Sequence, residues 1–116
     1  MAGQIVHFEI PSADVERAKA FWGAVFGWEF GESAMPGGEY YLVEGGAVYA
    51  SDELAGRGPL VYYGTADIDA SVARVRGAGG EAEDKQPIPG VGWFSRCRDT
   101  EGNAFRLFQG DESAGG

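Results

Sequence analysis

The sequence predicts an α+β fold, with two tandem βαβββ modules forming a curved mixed sheet around a concave cavity and the helices outside. Three observations predict it. Residues 5–10, IVHFEI, alternate between two faces at the period of a strand, with Val6, Phe8 and Ile10 on one and Ile5, His7 and Glu9 on the other. Residues 15–26 then change to helical spacing, where Val15, Ala18, Phe21, Trp22, Val25 and Phe26 make one apolar stripe. A weaker copy of this succession returns at a fixed offset: Asp67 follows Asp14 by 53 positions, and Gly80 follows Gly27 by the same interval.

Each element has a local reason. Pro11 lacks a backbone donor and is expected to end the first strand. Ser12 or Asp14 can accept from the open amides of the first helix, and Glu16 suits its positive end. Gly27 offers the left-handed residue that stops it. Trp28, Glu29 and Phe30 are expected to begin a second strand. Residues 31–38, GESAMPGG, form a loop by composition. Residues 39–43 and 47–50 make a hairpin about Glu44-Gly45-Gly46, and residues 51–59 connect the halves. Residues 60–65 are the next strand. Asp67 caps a second helix whose buried stripe is Ile68, Ser71, Val72, Val75 and Ala78, stopped at Gly79 and Gly80. Residues 81–83 run extended, residues 84–92 loop, and residues 93–98 and 104–109 are strands around a turn at 99–103, with Gly102 where positive φ is favoured. The tail GDESAGG is expected to be disordered. The expectation is thus one domain over 1–116, with module 1 at about 4–55, module 2 at about 59–110 and a flexible 111–116.

Bulk properties narrow the function. A hydrophobic share of 44% and 13% aromatics mark a globular chain of 116 residues. A net charge of −9 argues against nucleic acid, whose phosphates it would repel. No apolar run reaches the length of a membrane span, and no basic region leads into an apolar one as in a secretory signal. The single Cys97 cannot form an internal disulfide, which fits the cytoplasm, and on a strand it reads as a buried inert thiol. No phosphate loop, nucleophile elbow, cysteine-rich zinc pattern or dinucleotide fingerprint occurs.

The order of elements, the HFEIPSAD start, the AFWGAVFGW helix end and the DTEGNAFRLFQ finish resemble the vicinal oxygen chelate superfamily. That superfamily includes glyoxalase I, extradiol dioxygenases, fosfomycin-resistance transferases and bleomycin-resistance binding proteins. The resemblance spans residues 4–109 and is greatest to the small bacterial glyoxalase/bleomycin-resistance-like proteins. It implies a divalent metal on the concave face, acting as a Lewis acid on two adjacent substrate oxygens. Three or four His, Glu or Gln side chains on particular strands would hold it.

Those positions are populated unevenly here. His7, seven residues before Asp14, keeps the first ligand. The corresponding position before Asp67 is Leu60, which cannot ligate. The last-strand position, four after Gly102, is Arg106, whose permanent charge repels a cation. Tyr49, near the fourth position, is a poor ligand at neutral pH. The expectation is therefore no metal and no cofactor, with a divalent metal held in an unexpected way as the alternative.

By alternation His7, Glu9 and Arg106 should face the cavity; Tyr62 should do so by parity with Leu60, Tyr49 if it occupies the vacant ligand position that the resemblance implies, and Tyr63 should face a helix. Arg106 should meet Glu9 or another carboxylate, or an anionic group of a ligand. His7 reads as a hydrogen-bonded remnant or as a general base or ligand donor. The expected function is a metal-free small-molecule binding protein with an aromatic-lined cavity. The alternative is a metal-dependent lyase, isomerase or dioxygenase. The expected partner is a small organic ligand, with neither nucleic acid nor membrane. The resemblance also implies a homodimer, with Trp22 and Trp28 in the core or at the dimer contact.

Overall fold

The computed structural model describes residues 2–116. Its class is α+β, as expected, with two helices and eight strands among the described residues. The chain divides into two compact units. The first is His7–Leu60; the second is Val61–Gly116 together with the residues up to Val6. The cuts fall within β1 (Ile5–Ser12) and at the start of β4 (Leu60–Gly64).

The first unit holds most of β1, α1 (Val15–Phe26), β2 (Tyr40–Val43) and β3 (Gly46–Ala50). β3 runs parallel to β1, in register from Phe8 opposite Gly46 to Ser12 opposite Ala50. β2 pairs antiparallel with β3, which sets Tyr40 opposite Tyr49. Close packing of β1 on β3 depends on Gly46: a Cβ there would meet the Phe8 carbonyl oxygen and lie 2.7 Å from its ring. Asp14 caps α1, its carboxylate accepting from the Arg17 amide at 3.0 Å, and Gly27 ends the helix at φ +71°.

Three expectations for this unit are corrected. Pro11 does not end β1, which continues to Ser12. The Phe8 amide donates to the Gly45 carbonyl just before β3, and the Ser12 carbonyl accepts from the Ser51 amide just after it, so both point to the β3 side. Period two then turns the Pro11 nitrogen the other way, where its missing N–H interrupts nothing in this ladder. Residues 28–30 form no strand. The left-handed Gly27 turns the chain back, and Trp28 stacks on Trp22 at 5.1 Å between ring centres. The stripe on α1 is not buried throughout. Val15 is buried and Ala18 and Trp22 are half-buried, but Phe21, Val25 and Phe26 are more than half exposed.

The second unit holds the rest of β4, α2 (Ile68–Gly77), β5 (Glu81–Ala82), β6 (Gln86–Ile88), β7 (Gly92–Arg98) and β8 (Ala104–Gly110). β4 is parallel to β8; β7 is antiparallel to β8 and also pairs with β5 and β6. The chain start joins this unit through hydrogen bonds between Gly3, Gln4 and Gly64. Asp67 caps α2 by accepting from the Ala70 amide at 3.1 Å. Ile68 and Val72 pack with Cys97 and Leu107 into the core, with Tyr63, Val75, Trp93 and Phe105 around them. Cys97 is a buried free thiol, and burial raises its pKa further.

Here too the structure departs from expectation. Ala78 lies exposed beyond the end of the helix. β6 forms inside the expected loop 84–92, because Gln86, Pro87 and Ile88 find partners on β7 that no local pattern announces. The tail makes contacts of its own within the second unit. The Gly90 amide bonds to the Ala114 carbonyl at 3.0 Å, Ser113 donates to Asp111, and Ala114 is 2% exposed.

Candidate functional site

Alternation along β1 puts His7 and Glu9 on one face, and β2 brings Tyr40 to both. The Tyr40 hydroxyl donates to Glu9 Oε2 at 2.6 Å and lies 2.7 Å from His7 Nε2. A phenol has one proton. Since that proton goes to the carboxylate, Nε2 of His7 is the donor to the phenol oxygen, and the lone pair of the neutral ring resides on Nδ1. Glu9 is 6% exposed, so this is a charge-assisted hydrogen bond in a largely dry setting. Tyr49, opposite Tyr40 on β3, sets its ring 5.8 Å from the Tyr40 ring.

Tyr40 is aimed by the loop before it. Its amide donates to Ser33 Oγ at 3.0 Å, and its carbonyl accepts from the Ala34 amide at 2.8 Å. Ser33 is held in turn by donating to the Gly38 carbonyl at 2.7 Å. Both backbone groups of Tyr40 are thereby satisfied by the 31–38 loop, which fixes the phenol's direction.

Burial lowers the pKa of His7 from its ordinary value of about 6.5, and the neighbouring Glu9 carboxylate opposes that shift without cancelling it. His7 is neutral at pH 7. The unfolded chain therefore takes up this proton at higher pH than the folded one. The stability this group contributes is complete above the ordinary histidine value and is lost as pH falls through the folded value. We expect the urea midpoint to decline from pH 7 to pH 5, and His7→Gln to flatten that part of the profile. Unchanged slopes in the variant would remove His7 as the cause.

The other expected residues fall as follows. Leu60 is buried, at 2% exposure. In the second unit, Tyr62 stands opposite Arg106 in the β4–β8 ladder. Tyr63 packs against the α2 core with its ring edge-on to Phe105, as the alternation implied. Within its own unit Glu9 accepts from the Tyr40 hydroxyl, and within its own unit Arg106 donates to the Tyr62 hydroxyl at 3.3 Å. The first unit also carries a groove of about 430 Å³, lined by Ile10, Pro11, Ser12, Arg17, Trp22 and Ala55, and neither His7 nor Glu9 contributes to it.

The donor set does not fit the metal that the resemblance implies. Among the described residues, no group of three or more His, Cys, Asp or Glu is placed to hold an ion. Nε2 of the only histidine faces a hydroxyl, and the remaining ligand positions are a leucine, a tyrosine and a guanidinium.

These features define the class: a duplicated strand–helix–strand protein with a polar trio joining the first two strands of the first copy. A family model described as "Bleomycin resistance protein-like N-terminal" matches residues 4–46. A glyoxylase-like domain-containing protein of Didymella fabae is 33% identical over 119 residues, covering 90% of this chain and 92% of that protein. A solved glyoxalase/bleomycin resistance protein/dioxygenase superfamily member from Vibrio splendidus matches with a TM-score of 0.67 at 18% identity, over 94% of this chain and 99% of its own. Methylmalonyl-CoA epimerase from Mycobacterium tuberculosis matches at 0.64 and 20% identity, over 94% and 88%. The chain belongs to the glyoxalase/bleomycin resistance/dioxygenase group, the vicinal oxygen chelate superfamily.

Proposed function

We propose that the chain is a metal-free binding protein for a small organic ligand, acting in the cytoplasm as a homodimer. The observation that carries this reading is the Tyr40 hydroxyl, which sits 2.7 Å from His7 Nε2 and engages that nitrogen of the sole histidine among the expected ligand positions. A ring that donates a proton from Nε2 does not offer an electron pair there. What the trio offers instead is a hydrogen-bonding wall: an imidazole, a phenol and a carboxylate held in one geometry beside the Tyr49 ring. Polar groups fixed among aromatic rings suit the recognition of a flat organic molecule.

The alternative, a metal-dependent lyase, isomerase or dioxygenase, makes the opposite prediction about metal. After exposure to Mn, Fe, Co, Ni and Zn and exhaustive dialysis, elemental analysis is expected to find far less than one ion per chain. A stoichiometric ion that disappears in His7→Ala would reject the metal-free reading. A thermal-shift screen of flat aromatic compounds tests binding directly. A true ligand at about a hundred times its Kd stabilises by roughly 2.7 kcal/mol. A screen without any stabilisation at high micromolar concentration would count decisively against binding.

A further inference from the structure

The face of the second unit turned away from α2 gathers cations and aromatics. Trp93, Cys97, Phe105 and Leu107 pack with α2, so alternation places Phe94 and Arg96 of β7 and Arg106 and Phe108 of β8 on the opposite face. The register sets Arg96 directly across from Arg106, Phe94 across from Phe108, and Tyr62 across from Arg106 on its other side. Both guanidinium carbons lie near one ring: Arg96 is 5.7 Å and Arg106 6.0 Å from the centre of Phe94.

Like charges at directly opposed strand positions are unfavourable. This chain carries 18 acidic and nine basic residues, so its surface offers no general shortage of carboxylates that would force two arginines together. Their local compensation is weak. Arg96 reaches Glu83 at 3.9 Å with both side chains about half exposed, and such pairs contribute little. Arg106 donates to a neutral phenol at 3.3 Å rather than to a carboxylate.

We propose that Arg96 and Arg106 form an anion-binding site that receives the carboxylate or phosphate of a ligand with a flat apolar body. The assignment rests on the small-molecule reading above and adds the charge of the ligand to it. Opposed in register and each within about 6 Å of the Phe94 ring, the two guanidinium groups carry planar donor forks that match a planar or tetrahedral oxyanion. Phe94 and Phe108, both partly exposed, flank them with apolar surface for the rest of the molecule, and the buried Tyr62 supports Arg106 from beneath.

The test is calorimetric titration with 2-naphthoate and with its neutral analogue 2-naphthamide at fixed ionic strength. We expect naphthoate to bind at least about tenfold more tightly, as one charge-assisted contact of ordinary strength provides. Arg96→Gln and Arg106→Gln should each abolish that preference. The melting temperature of ligand-free Arg96→Gln should be unchanged or higher, because the substitution relieves a repulsion, so lost binding cannot be ascribed to unfolding. Equal affinity for the two compounds, or a preference that survives in either variant, overturns the anion site and leaves the binding reading standing. Binding of neither compound at millimolar concentration overturns both.

Discussion

Gly46→Ala is expected to destabilise the protein by about 3 kcal/mol or more, the upper range of over-packing effects. The reason is contact rather than backbone strain, since Gly46 is not among the glycines with positive φ. An added methyl would press on the Phe8 carbonyl oxygen and ring, and that backbone is fixed by the β1–β3 register. β1 cannot yield without carrying His7 and Glu9 with it, nor β3 without Tyr49, so the loss of stability should be accompanied by loss of ligand binding. Gly31→Ala is the control, because nothing lies within 4 Å of its Cβ position, and it should be close to neutral. Urea unfolding of both variants decides the matter; equal midpoints would mean that β1 and β3 pack less closely than described.

Tyr40→Phe should cost about 2–3 kcal/mol, well beyond the effect of losing an exposed hydroxyl. It takes a donor from the carboxylate of Glu9, which is 6% exposed, and leaves that acceptor underserved. Glu9→Gln tests the same link from the other side. In a cycle of the two single variants and the double, the coupling should exceed about 1 kcal/mol, as expected for partners in one buried network. Additivity within about half a kcal/mol would show that the short Tyr40–Glu9 contact carries no net stability.

The parts of the fold legible in the sequence were those written in local chemistry. Asp14 and Asp67 announced the two helix starts, Gly27 announced a helix end, and the alternation of residues 5–10 put His7 and Glu9 on one face. Contacts between distant segments were not legible. Trp28 had the composition of a strand residue, but stacking on Trp22 after the turn at Gly27 took precedence over local β preference. Gln86–Ile88 became a strand only because β7 was there to pair with it. The outer half of the α1 stripe has the periodicity of a buried face, and periodicity alone does not say what covers it.

The candidate site divides in the same way. His7, Glu9 and Arg106 stood out because their chemistry was unusual for their positions. Tyr40 did not, since an aromatic on a strand usually signals packing. Its role comes from reaching across 33 positions of sequence to His7, and from Ser33, which aims it. The doublet Tyr40-Tyr41 followed by alternation was the available signal, because one of two adjacent strand aromatics must leave the apolar face.

The imidazole that anchors the trio is also the only one in the chain. Its ring carbon protons should therefore give one unshared pair of signals in a magnetic resonance spectrum, with no assignment problem to solve. Each rearrangement at the phenol or carboxylate would move that pair. The molecule thus carries an intrinsic spectroscopic probe at the place where an incoming compound is expected to act.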